Sequence, residues 1–157
     1  MSKDAWLFCG VGLVAGLIAG VAISDFAGHA SANAGGSQMF NTLKFTELAS
    51  SEQRAFEAYK RESAPVAIYA LSESLDKMKE AEQYGESSLL TKQVLADDMI
   101  LAHARLAKLY NQTGETNLAA RHFAEALRCS KESGRSTWFT NRDALMQFVA
   151  KIDNGAK

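Results

Sequence analysis

The chain has 157 residues, of which 47% are hydrophobic and 22% charged, so it can bury a core and is not expected to be disordered. Its formal net charge is −1, with positive and negative residues mixed along the chain. The sequence has no basic stripe or block, which argues against a nucleic-acid-binding protein. Two cysteines are too few for a disulfide framework. The single proline and the absence of sustained strand-period alternation predict an all-α fold.

The N-terminal segment is predicted to be a single transmembrane helix. Residues 5–23 contain no charged side chain, and nineteen helical residues span about 28 Å, close to the thickness of a bilayer core. Gly12, Gly16 and Gly20 recur at every fourth position and form one stripe. Such a glycine-zipper stripe lets a second membrane helix approach closely. Residues 1–24 are therefore interpreted as a membrane anchor that can pack laterally against another helix.

A cleavable secretory signal is the alternative interpretation of the same segment. Ala-Asn-Ala at 32–34 and Ala-Ser-Ala at 30–32 have the small-x-small form that a signal peptidase accepts. The apolar stretch is longer than a usual signal core, and Lys3 is offset by Asp4, which favours the anchor. Either interpretation puts the remainder of the chain on the periplasmic or extracytoplasmic side.

A flexible linker is predicted at residues 25–38, which are small and polar and include three glycines. After it, at 39–157, apolar residues at helical spacing predict one helical domain of five helices. These cover about 40–62, 65–84, 88–111, 116–133 and 140–152. A break in the first near Ser50 is left open, because Ser50 and Gln53 have capping-box spacing. Thr140, followed by Asp143, is interpreted as the start signal of the last predicted helix.

The pattern within the third and fourth predicted helices is the most specific in the chain. Leu106 and Tyr110 share a helical face, and Gly114 allows a positive φ between two helices. In the fourth predicted helix, small side chains permit close packing against the third, and one aromatic ring fills the space between the two helices. These residues are Ala119, Ala126 and Phe123, and Ala107 adds a further small position.

With these residues at these offsets, residues 100–133 resemble one repeat of the tetratricopeptide repeat family. His103 departs from the family pattern, where a large apolar side chain is usual, and so does Lys131, where proline is common. The resemblance implies an array of helical hairpins that binds other proteins, with one good repeat flanked by degenerate helices. It also implies a concave groove lined by the first helix of the repeat, where Lys108 and Asn111 could bind a carboxylate or a peptide backbone. The groove positions are Leu101, Ala104, Lys108, Asn111 and Gln112.

Motifs for enzymatic chemistry are absent from the sequence, including HExxH, GxSxG, P-loop, GxGxxG and CxxC. His103 and His122 fall on the two helices of one predicted hairpin and could approach each other, but two imidazoles alone make a poor metal site. Asp97 and Asp98 are adjacent, so they point in different directions, and a solvated face is expected for both.

The sequence therefore predicts a protein that is not an enzyme and carries no cofactor or metal. It predicts a membrane-tethered interaction or adaptor domain, such as an accessory, scaffold or assembly subunit of a membrane complex. The partner would be another protein, with no nucleic acid involved. The alternative is a secreted or periplasmic helical binding protein whose signal peptide has been removed.

Overall fold

The structure is a computed structural model that describes residues 32–83, 91–137, 139 and 141–155. It contains five helices in these residues and no strand, which confirms the all-α prediction. The helices are α1 (Ala32–Arg61), α2 (Ala64–Gln83), α3 (Lys92–Gln112), α4 (Thr116–Glu132) and α5 (Arg142–Asp153).

The first helix begins earlier than predicted. It starts at Ala32, so residues 32–38 are helical and the predicted linker at 25–38 is wrong for that part. Gly35 and Gly36 each weaken a helix by about 1 kcal/mol relative to Ala, but no proline interrupts the stretch and the helix continues into a packed segment. The predicted anchor at 1–24 and the remainder of the linker lie outside the described residues.

The possible break near Ser50 is not present, because α1 is continuous through it. The Ser50 hydroxyl donates to the backbone oxygen of Thr46 at 2.8 Å, and the Thr46 hydroxyl donates in the same way to Thr42. A hydroxyl that bonds back to the carbonyl four residues earlier does not cap a new helix. Ser51 is buried, as a residue within a packed helix should be.

Side-chain caps determine where two later helices begin. The Thr91 hydroxyl accepts a hydrogen bond from the backbone N–H of Val94 and starts α3. The Asn141 side chain accepts from the N–H of Ala144 at 3.0 Å and starts α5. The start signal predicted at Thr140 is therefore displaced by one residue, because the amide of Asn141 is the group that reaches the free N–H.

Glycine ends both α3 and α4 in the left-handed conformation. Gly114 has a φ of 85°, and the following N–H of Glu115 donates to the oxygen of Tyr110 at 2.8 Å. Gly134 has a φ of 72°, and the N–H of Arg135 donates to the oxygen of Ser130. The positive φ predicted at Gly114 is confirmed. A residue with a side chain would adopt this backbone conformation only at a higher conformational energy.

The helices pack mainly on their neighbours along the chain, and α3 lies at the centre. Ion pairs from Lys77 to Glu47 and from Lys44 to Glu80 show that α1 and α2 run antiparallel. The α2 helix packs on α3, while α4 and α5 both pack against α3. All nine residues at 99–107 are buried, so this middle part of α3 is covered on every side.

Candidate partner-binding surface

The five predicted groove residues divide into two groups in the structure. Leu101 is 7% exposed and Ala104 is 0% exposed, so both pack in the core and offer no surface to a partner. Lys108 and Asn111 are half-buried and Gln112 is exposed. The accessible part of the predicted groove is therefore the polar side chains at the C-terminal end of α3, Lys108, Asn111 and Gln112.

Lys108 contacts an aromatic side chain of α1. Its ammonium donates a hydrogen bond to the hydroxyl of Tyr59 at 2.7 Å and lies 5.3 Å from the centre of the Tyr59 ring. Since α1 and α3 are joined here through long side chains, residues far apart in sequence form one surface. We define the cationic–aromatic surface as Phe56, Tyr59, Lys60 and Lys108.

Arg105 lies beneath this surface and is 9% exposed. Its Nη2 and Nε atoms donate to Oδ1 of Asp153 at 2.8 and 3.1 Å. The guanidinium also stacks over the ring of Phe56, 4.6 Å from its centre. A guanidinium suits such a site because it is planar, permanently charged and weakly hydrated.

Asp153 joins the last turn of α5 to both α1 and α3. Its Oδ2 accepts from the Tyr59 hydroxyl at 2.8 Å, and its backbone oxygen accepts from Nζ of Lys60 at 2.6 Å. Burial and the bond to Asp153 raise the pKa of Tyr59. The phenol therefore stays neutral, donating to Asp153 while accepting from Lys108.

This network carries more positive than negative charge. Arg105, Lys60 and Lys108 supply three cations, and Asp153 supplies one carboxylate. Arg105 is neutralised by Asp153, whereas the hydrogen bonds of Lys60 and Lys108 go to uncharged oxygens. Within the described residues neither lysine is within ion-pair distance of a carboxylate, so both ammonium groups can attract acidic groups of a partner.

Sequence reasoning missed Arg105 and Asp153 as members of this network. Arg105 falls between Leu101 and Lys108 on α3, which placed it near the predicted groove. Its partner is 48 residues away, and helical periodicity carries no information about which charges meet at that separation. Phe56 and Tyr59 are large aromatic residues at helical spacing, which favours a core position, but both are half-buried.

The predicted approach of His103 and His122 is observed. Their Nδ1 atoms are 2.9 Å apart, and the His122 ring stacks on Tyr110 with 5.3 Å between the ring centres. Burial, followed by repulsion from His122, lowers the pKa of His103 to about 4, so this imidazole is neutral at pH 7. In the part of the chain that the structure describes, no three His, Cys, Asp or Glu side chains are arranged to bind a metal.

The predicted membrane contacts at Gly12, Gly16 and Gly20 lie outside the described residues. Among the helices that the structure does describe, none combines the length and apolar character needed to cross a bilayer. Comparison with known proteins adds no relative: no family model, curated protein or solved structure matches this chain.

Proposed function

We propose that this chain is a non-enzymatic adaptor, in which a tetratricopeptide-like helical domain binds another protein through the cationic–aromatic surface. The observation that carries the proposal is the accessible pair Lys60 and Lys108, which lie beside Phe56 and Tyr59 without a carboxylate counter-ion in the described residues. Tyrosine is among the residue types that most often dominate binding energy at protein interfaces.

The rigidity of the surface supports the same proposal. Tyr59 is held between Asp153 and Lys108, and Phe56 is covered by the Arg105 guanidinium. Side chains that are already fixed lose little conformational entropy when a partner binds. Asn111 and Gln112 extend the surface along α3 with groups that can bond to a peptide backbone.

Replacing both surface lysines should remove partner binding while leaving the fold intact. Methionine in place of Lys60 and Lys108 keeps most of the side-chain volume and removes two charges. We expect recovery of the partner from native membranes in mild detergent to fall about tenfold or more, which corresponds to a loss of about 1.4 kcal/mol or more. The measurement is quantitative co-purification, with helical circular dichroism recorded for each variant.

Lys92→Met with Lys131→Met is the matched control, since both lysines are exposed and lie outside the cationic–aromatic surface. Equal recovery of partners by both double variants would contradict the assignment of the surface. Loss of helical signal in the test variant would show that the lysines act on the fold instead.

The membrane tether is the second half of the proposal, and we expect it to reside in residues 1–24. The full chain should stay in the membrane pellet after carbonate washing, whereas a shortened chain beginning at Ala32 should be soluble and helical. Release of the full chain by carbonate would contradict the tether. A mature N-terminus at Asn33 or Gly35, measured by mass spectrometry, would favour the secreted alternative.

A further inference from the structure

The contact between Tyr59 and Arg105 indicates that an acidic residue of α1 and one of α3 lie opposite each other, two helical turns earlier on each helix. Glu52 precedes Tyr59 by seven residues on α1, and Asp98 precedes Arg105 by seven residues on α3. Seven residues are two helical turns, so the acidic pair occupies the same side of each helix as Tyr59 and Arg105. Tyr59 and Arg105 are themselves in contact, with the guanidinium 5.4 Å from the ring centre.

The acidic pair is incompletely satisfied. Oε1 of Glu52 is buried and has no hydrogen-bond partner in the described structure. A buried ionised carboxylate without a partner is costly, whereas a protonated carboxyl group can donate a hydrogen bond to a neighbouring carboxylate. The pair therefore has a physical reason to retain a proton.

We propose that Glu52 and Asp98 form a proton-dependent contact between α1 and α3, which holds the helices together when the pair retains a proton and loosens α1 when both groups ionise. This inference does not depend on the proposed function. It concerns an interface within the chain, not the surface that a partner would contact.

The electrostatic surroundings agree with this behaviour. Burial, followed by the negative charge of Asp98, raises the pKa of Glu52 to about 8. Burial, followed by Asp97, raises the pKa of Asp98 to about 7, and Arg105 partly opposes this. Both pKa values are raised above those of free carboxyl groups, so the folded pair releases its last proton at a higher pH than the unfolded chain does.

The remaining charges near the pair are themselves paired. Asp97 accepts hydrogen bonds from Arg135 at 2.8 and 3.2 Å, and Arg105 is bonded to Asp153. Among the described residues of α2, α4 and α5, no side chain forms a hydrogen bond or an ion pair with either carboxyl group. The interaction between Glu52 and Asp98 is thus not neutralised by a cation close to Glu52.

The direction of the pH effect follows from the raised pKa values. The folded chain holds protons that the unfolded chain releases near pH 4.5, so stability falls as pH rises from about 4.5 to about 8. His103 acts in the opposite direction, because its lowered pKa reduces stability as pH falls below about 6.5. His122, whose pKa burial also lowers, acts like His103, and Cys129, whose pKa burial raises from 9, acts mainly above pH 8. The range from pH 6.5 to pH 8 therefore reports mainly the acidic pair.

The test compares the full chain in mild detergent at pH 6.5 and pH 8 by thermal unfolding and by hydrogen exchange. For the wild type we expect a fall of about 5 °C in the unfolding midpoint. We also expect roughly tenfold faster exchange in α1 than in α4 after correction for the intrinsic pH dependence of exchange. Glu52→Gln should remove most of both effects, because the amide keeps its shape and cannot ionise.

Glu57→Gln is the matched control, since Glu57 is an exposed carboxylate on the same helix, and it should behave as the wild type. Asp98→Asn is a second variant that should also flatten the pH dependence. An unchanged wild-type midpoint between the two pH values would overturn the inference. So would a Glu52→Gln variant that keeps the wild-type shift, or an equal rise of exchange in α1 and α4.

Discussion

Replacing Arg105 by methionine is expected to destabilise the protein by about 3–5 kcal/mol, because it leaves the buried carboxylate of Asp153 without its cation. Methionine preserves the apolar stem that lies against Phe56, so the loss reports the charge rather than the packing. The side chains of Arg105 and Asp153 are only 11% and 6% exposed, which limits the compensation that water can provide. Urea unfolding followed by circular dichroism measures the change.

Two comparisons separate the buried pair from an ordinary ion pair. Arg61→Met removes a surface pair with Glu57, whose side chains are 76% and 49% exposed, and should cost less than about 1 kcal/mol. The double variant Arg105→Met, Asp153→Leu should recover much of the loss, since no buried charge is then left unpaired. A single Arg105→Met variant within 1 kcal/mol of wild type would contradict the buried network.

Truncation of Leu106 to alanine is expected to cost about 2–5 kcal/mol. Leu106 is 0% exposed and lies in the middle of α3, where buried neighbours on both sides prevent the cavity from closing. The unfolding midpoint in urea should fall while the dependence on denaturant stays the same.

Leu43→Ala is the control for this truncation. It removes the same side-chain atoms, but from a residue that is 59% exposed to solvent. We expect a change within about 0.5 kcal/mol for the control. Equal effects of the two truncations would show that α3 is not the centre of the core.

Local patterns predicted much of the fold. Leu71, Leu75 and Met78 recur at helical spacing and are buried, and so are Leu145 and Val149 on α5. Gly114 was predictable because helices commonly end at a glycine with positive φ. These features depend on residues within one or two turns of each other, which a sequence displays directly.

Contacts between distant helices were not predictable in the same way. Leu101 and Ala104 were assigned to an open groove, yet neighbouring helices cover them. Asp98 was expected on a solvated face, but it is half-buried and burial raises its pKa. In each case the burial of the residue depends on a second helix. Helical periodicity in the sequence shows which residues share one face, but it does not show which other helix packs on that face.

The order of packing has a consequence for how the chain assembles. Since α1 packs on α2, α2 on α3 and α4 on α3, most contacts close only a short stretch of chain and lose little loop entropy. Such local topology is associated with rapid folding. The α3–α4 hairpin can form early from its own short turn, and the outer helices can then add to it or fray from it without dispersing the centre.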